Sequence, residues 1–189
     1  MAKNEERRRV LVDAGLTVLA RSGGRGLTHR AIDREAGLPQ GTCGNYLPSR
    51  DALFEAMGAR IFERLTPSEE ELGDSADEPP SRVRMVVLMQ ELMGRVLAQP
   101  ELQLALLELR LESTRRPALE KSLRSTLQAA LQVDLDFLEA ANLPGGRRGV
   151  ELLHLAIGGL ILHTVTVPAE LGLGDIDEVV ADLVERIYR

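Results

Sequence analysis

Residues 27–53 read LTHRAIDREAGLPQGTCGNYLPSRDAL, and this stretch decides the fold. Thr28 offers a side-chain oxygen to the free amides of a helix that runs to about Ala36. Ala31, Ile32 and Ala36 form its inner side. Gly37 breaks that helix, because glycine accepts the left-handed backbone that a helix exit needs. The spacing predicts a third helix over Pro39–Leu47, with proline in its first turn. Pro48-Ser49 is the next break.

Upstream, Val10, Leu11, Ala14, Val18 and Leu19 recur at helical spacing from Asn4 to about Arg21, and Ser22-Gly23-Gly24 ends the run. Downstream, Ser49 caps a fourth helix, Arg50–Leu65, with Leu53, Phe54, Met57 and Ile61 on one face. Residues 66–81, TPSEEELGDSADEPPS, are acidic and almost without apolar side chains, so a mobile linker is expected there. Beyond it, helices are expected over Arg82–Gln99, Glu101–Arg115, Pro117–Asn142, Arg147–Val167 and Asp175–Tyr188. In the last of these, Ile176, Val179, Val180, Leu183, Val184 and Ile187 mark one face. The expected fold is all-α. A three-helix helix-turn-helix DNA-binding domain (1–49) precedes a larger helical domain (50–189) for effector binding and dimerisation.

Composition fits this plan. Apolar residues make up 44% but aromatics only 3%, with no Trp, so the core must be built from aliphatic side chains and Met, which suits helices. The net charge of −6 by itself argues against nucleic acid, but its distribution does not. Residues 1–50 hold nine Lys/Arg against five Asp/Glu, and the rest of the chain carries −10. A basic head on an acidic body is the pattern of a nucleic-acid-binding module. The single cysteine, Cys43, excludes an internal disulfide and a Cys-based zinc site. The histidines are scattered, and there is no Gly-rich phosphate loop or paired nucleophile and base. No metal, no cofactor and no enzymatic activity are therefore expected. The charged, polar start is unlike a signal peptide, so a cytoplasmic protein is expected. Residues 152–169 lack formal charge but contain His154, His163, Thr164, Thr166, two glycines and Pro168, and read as a buried helix rather than a membrane span.

The combination Thr28, Ala36, Gly37, Leu38, Gly41, Thr42, Tyr46, Arg50, Asp51 and Leu53 resembles the TetR family of transcription regulators, closely over about the first 55 residues and loosely beyond. The sequence departs from the family pattern at Pro39, usually a capping Ser, at Gly44, often Tyr, and at Leu47, usually Phe. The resemblance implies a ligand-responsive regulator, a repressor by family default, that binds a palindromic operator in double-stranded DNA as a homodimer. Resemblance and side-chain chemistry converge on the same DNA-binding residues. Thr28, Tyr46 and Arg50 are expected to hold phosphates, which fix register without reading sequence. Gln40, Thr42 and Asn45 are expected to face the major groove, where Gln and Asn pair with adenine and Thr touches the thymine methyl. Arg30 is expected to reach either a base or a phosphate. Cys43 is expected beside Ile32 and Leu47 in the small core of the head, as a hydrophobe rather than a redox sensor.

In the body, Arg147–Val167 is apolar around most of its circumference, and Gly158 and Gly159 permit close approach of a second backbone. A four-helix bundle across a two-fold axis is expected from it and the last helix, with the central helix of a monomer as the alternative. The effector-site candidates are Met85, Met89 and Met93, one methionine per turn, with Leu104, Leu107, Arg110 and His154. Effector binding is expected to shift the helix Arg50–Leu65 and so change the separation of the two reading heads. The rival readings are a small all-helical enzyme and a protein-interaction module without DNA binding.

Overall fold

The computed structural model describes residues 2–65, 79, 81–140, 142, 145–167 and 174–189. Among the described residues every regular element is an α-helix. In chain order these are α1 (Ala2–Gly26), α2 (His29–Glu35), α3 (Thr42–Tyr46), α4 (Arg50–Leu65), α5 (Arg82–Ala98), α6 (Pro100–Ser113), α7 (Pro117–Ala140), α8 (Gly146–Thr166) and α9 (Ile176–Ile187). Apart from Pro79 and Ser81, the expected linker over 66–81 lies outside the described residues. The helices form two compact units, Met1–Thr66 with Pro100–Thr126 and Pro67–Gln99 with Leu127–Arg189.

In the first unit, α1 packs against α2, α3, α4 and α6. Its core joins Leu11 and Leu19 of α1 to Ile32, Cys43, Leu47, Phe54, Met57 and Ile61, and to Leu102, Ala105 and Leu109 of α6. Two boundaries differ most from the sequence reading. The helix break near residue 22 is confined to Gly23 (φ 63, ψ −177), and a further turn carries α1 to Gly26. The third helix starts at Thr42 rather than Pro39. Gly41 has φ 93, a left-handed conformation that a helix interior does not hold, so Pro39 lies in the turn ahead of the helix.

In the second unit, α9 packs on α5 and α8. Arg82 donates to the carbonyl of Tyr188 at 3.2 Å and Gln90 to that of Asp177 at 3.1 Å, so α5 and α9 run antiparallel. Met85, Met93, Leu138, Val150, Leu153, Ile157, Leu160, Val180, Val184 and Tyr188 form the core. Asp175 caps α9 by accepting from the amides of Asp177 and Glu178. The α8 helix departs from expectation. It is long and apolar enough to cross a membrane, yet only 28% of its most apolar window is buried within the chain. Leu152, Leu155 and Leu162 are 41%, 71% and 45% exposed.

Candidate nucleic-acid interface

The short helices α2 and α3 meet at the turn Ala36–Gly41. The hydroxyl of Thr28 accepts from the amide of Ala31 at 3.1 Å, the expected cap of α2. Ile32 faces inward while Arg30 and Arg34 are exposed. An isolated helix of five residues has no stability of its own, so the position of α3 is imposed from outside. Two things impose it. One is burial of Cys43 and Leu47 in the core of the first unit. The other is Asp33 of α2, only 2% exposed, whose Oδ2 accepts from the amide of Gly41 and Oδ1 from that of Cys43, both at 2.7 Å. These are first-turn amides with no acceptor inside the helix, and α3 has no side-chain cap of its own.

Cys43 is fully buried in the core with Ile32 and Leu47, as its spacing predicted. Burial pushes its thiol up to about 11, and the charge of Asp33 adds to the shift. A protonated, enclosed thiol acts as a small hydrophobe.

The sequence-predicted DNA-binding residues fall on and around α2 and α3. Gln40 and Asn45 are exposed and Thr42 is half-buried. The Thr42 hydroxyl donates to the carbonyl of Pro39 at 2.6 Å, which commits its hydrogen locally and leaves the methyl group for apolar contact. The Tyr46 hydroxyl donates to Oδ1 of Asn4 on α1 at 3.2 Å. The guanidinium of Arg50 turns inward, donating to the carbonyls of Leu27, at 3.1 Å, and Gly24, and lying 5.1 Å from the centroid of the Phe54 ring. It fastens the turn ahead of α2 and keeps further N–H groups for another acceptor. Arg30 and Arg34 of α2 and Arg7, Arg8 and Arg25 of α1 are exposed and make no ion pair among the described residues.

The effector candidates divide between the two units. Met85 and Met93 are buried in the second core, and Met89 packs against it. His154 belongs to the same unit but is exposed, with its Nδ1 3.2 Å from Asp134. Leu104 and Leu107 are half-buried in the first unit, where Arg110 is exposed. Among the described residues no cluster of His, Cys, Asp or Glu is arranged to hold a metal. Sequence reasoning missed Asp33, because its partners lie eight and ten residues away across a turn and no local spacing rule reaches that far.

Residues 80–189 match the family model of the tetracyclin repressor-like C-terminal domain. No curated protein sequence matches the chain. Among solved structures, it is similar to a transcriptional regulator from Rhodococcus sp. Rha1, at 20% identity over 95% of each chain and a TM-score of 0.76. A TetR-like transcriptional regulator from Rhodococcus sp. RHA1 is 21% identical over 96% of this chain and 93% of that one, with a TM-score of 0.65. The multidrug binding protein EbrR complexed with proflavin is 20% identical over 96% of this chain and 99% of that one, with a TM-score of 0.62. At these identities the likeness is one of fold.

Proposed function

Because the chain belongs to the TetR family of transcriptional regulators, we propose that it is a repressor that binds a palindromic operator as a homodimer and is released by a small molecule. It is a DNA-binding regulator and not an enzyme, as its family entails. The observation that carries the finer reading is the polar surface of α3 and the turn ahead of it, where Asn45 and Gln40 are exposed, together with the exposed Arg30 and Arg34 of α2, which make no ion pair among the described residues. Gln40, Thr42 and Asn45 read bases; Thr28, the Tyr46 hydroxyl once it leaves Asn4, and the free N–H groups of Arg50 hold phosphates; Arg30 serves either. Residues 1–49 read DNA, residues 50–189 bind effector and dimerise, and the protein works in the cytoplasm.

The dimer reading rests on α8. Leu152, Leu155, Gly159 and Leu162 follow the 3-4-3 spacing of a helix–helix seam, and a Cβ added at Gly159 meets nothing within 4 Å. A second copy of this helix would cover the exposed leucines and present two reading helices to successive major grooves. The effector reading rests on Met85, Met89 and Met93, whose flexible side chains adapt to varied ligands, and gains support from the likeness to EbrR. Release follows displacement of α4, which packs against α1 and α6 in the unit that carries the head.

Selection of duplexes from a random library by the purified protein tests the proposal. Enrichment of two inverted half-sites is expected. Recovery of unrelated sequences after repeated rounds would count against an operator-binding dimer.

A further inference from the structure

We propose that Asp33 is the positioning residue of the DNA-reading helix: from α2 its buried carboxylate holds the first turn of α3, and so sets the register in which Gln40, Thr42 and Asn45 meet the bases. The proposal rests on the DNA-binding reading above and adds what that reading lacks, a cause for the geometry of α3.

Within α3 only Thr42 ties the start of the helix to the turn ahead of it, through its amide and hydroxyl on the Pro39 carbonyl. Its N-cap is Gly41 at φ 93 with no side-chain bond, Pro39 has no amide to offer, and Gly44 adds backbone freedom in the middle. The two Asp33 bonds, both 2.7 Å, are short and charge-assisted, and they reach amides two residues apart, which fixes the orientation of the turn as well as its distance. Because Asp33 is itself 2% exposed and sits beside the inward Ile32, its carboxylate has little room to move. Pro39 and the exposed Gln40 lie between Asp33 and Gly41 in the chain, so the loop that carries one base-reading residue is closed by the same contact. The loss of a contact that positions rather than touches DNA should fall on sequence selectivity and spare binding to phosphates.

Cys43 reports the state of α3 directly, since it is 0% exposed and becomes available to a thiol reagent only when this helix opens. In Asp33→Asn one oxygen is replaced by an NH2 group that faces a backbone donor. Labelling of Cys43 under native conditions should accelerate at least about tenfold, the order expected for loss of one charge-assisted hydrogen bond. Leu106→Ala, a core change on α6 in the same unit, serves as the control for general loss of stability. The preference of Asp33→Asn for a duplex selected by the wild-type protein over scrambled DNA should fall by a similar factor, while binding to scrambled DNA and its salt dependence persist.

Unchanged labelling, or labelling raised equally in Leu106→Ala at matched stability, would overturn the positioning role. Faster labelling with selectivity intact would overturn the link to base reading. If wild-type protein discriminates no duplex at all, the DNA-binding reading fails while the labelling comparison still decides whether Asp33 holds α3. Should Asp33→Asn not fold, amide exchange in the wild-type protein decides. The amides of Gly41 and Cys43 should exchange at least about tenfold slower than in a free peptide, and exchange at the free-peptide rate would refute the contact.

Discussion

Arg60 of α4 grips Asp13 of α1 with both arms of its guanidinium, Nε to Oδ1 at 2.8 Å and Nη2 to Oδ2 at 2.9 Å. Glu63 approaches the same guanidinium at 3.0 Å, and Arg64 lies 3.7 Å from Asp13. The Arg60 side chain is 19% exposed, so the pair is partly shielded from salt and rigid enough to give direction as well as attraction. It fastens the first helix of the head to the helix through which displacement is proposed to travel.

Arg60→Lys is therefore not conservative, because an ammonium cannot reproduce the fork. A loss of about 1.5–3 kcal/mol is expected in urea denaturation, the range of hydrogen bonds to charged groups. Asp13→Asn should cost a similar amount, and the double variant should cost less than the sum of the two. Strict additivity would show that the two side chains do not interact.

Tyr188 closes the second unit with its ring laid on the backbone of α8. A Cβ added at Gly149 would stand 2.8 Å from Cε1 of that ring, and the ring is 1% exposed with nowhere to retreat. Gly149→Ala should destabilise by about 1–3 kcal/mol, the usual range of overpacking. The Tyr188 hydroxyl is buried with no hydrogen-bond partner among the described residues, so Tyr188→Phe removes a desolvated polar group and should be neutral or stabilising. Thermal unfolding of both variants checks the pair; an unchanged Gly149→Ala would contradict the ring contact, and a large loss in Tyr188→Phe would show that the hydroxyl has a partner.

Two groups make stability sensitive to alkali. Burial raises the Cys43 thiol from 9.0 to about 11 and the Tyr188 hydroxyl from 10.0 to about 12. Each fold-state value lies above its unfolded value, so the native state favours the protonated form. Its stabilisation is whole below the unfolded value and is lost as pH rises through the folded one. Stability should hold to about pH 9 and then fall, with Cys43 contributing up to about 3 kcal/mol by pH 11. Cys43→Ala should remove the earlier part of that fall. An identical alkaline profile in the variant would show that the thiol does not titrate with unfolding.

The exposed seam of α8 gives the dimer its simplest test. Leu155, 71% exposed in the single chain, lies at the middle of the stripe. Leu155→Asp should turn a dimer into a folded monomer in sedimentation at micromolar concentration, since a desolvated, unpaired carboxylate in an apolar contact is strongly disfavoured. A wild-type monomer, or a dimer indifferent to this change, would move the interface elsewhere.

Most of the helical plan was legible because it depends on local spacing. The stripe from Ile176 to Ile187 gave α9 within a residue, and Cys43 was placed in the core by its position between Ile32 and Leu47. The start of α3 was misread because Pro39 satisfies a local rule, whereas the conformation of Gly41 accompanies a hydrogen bond to Asp33 on another helix. The Arg60–Asp13 pair spans 47 residues, and the inward fold of Arg50 depends on carbonyls 23 and 26 residues away. No periodicity encodes such distances. The exposure of α8 was hidden for a different reason: an apolar circumference tells that a helix is to be covered and not by which chain.

The central claim is that this head reads DNA sequence, and fluorescence anisotropy tests it most directly. Labelled DNA from immediately upstream of the protein's own gene is titrated with the purified protein, against a scrambled duplex, at several salt concentrations. Selective binding by two protomers is expected, with affinity falling as salt rises by about 0.9 log units per log unit of salt for each phosphate held. Absence of binding to either duplex at low salt would contradict the claim.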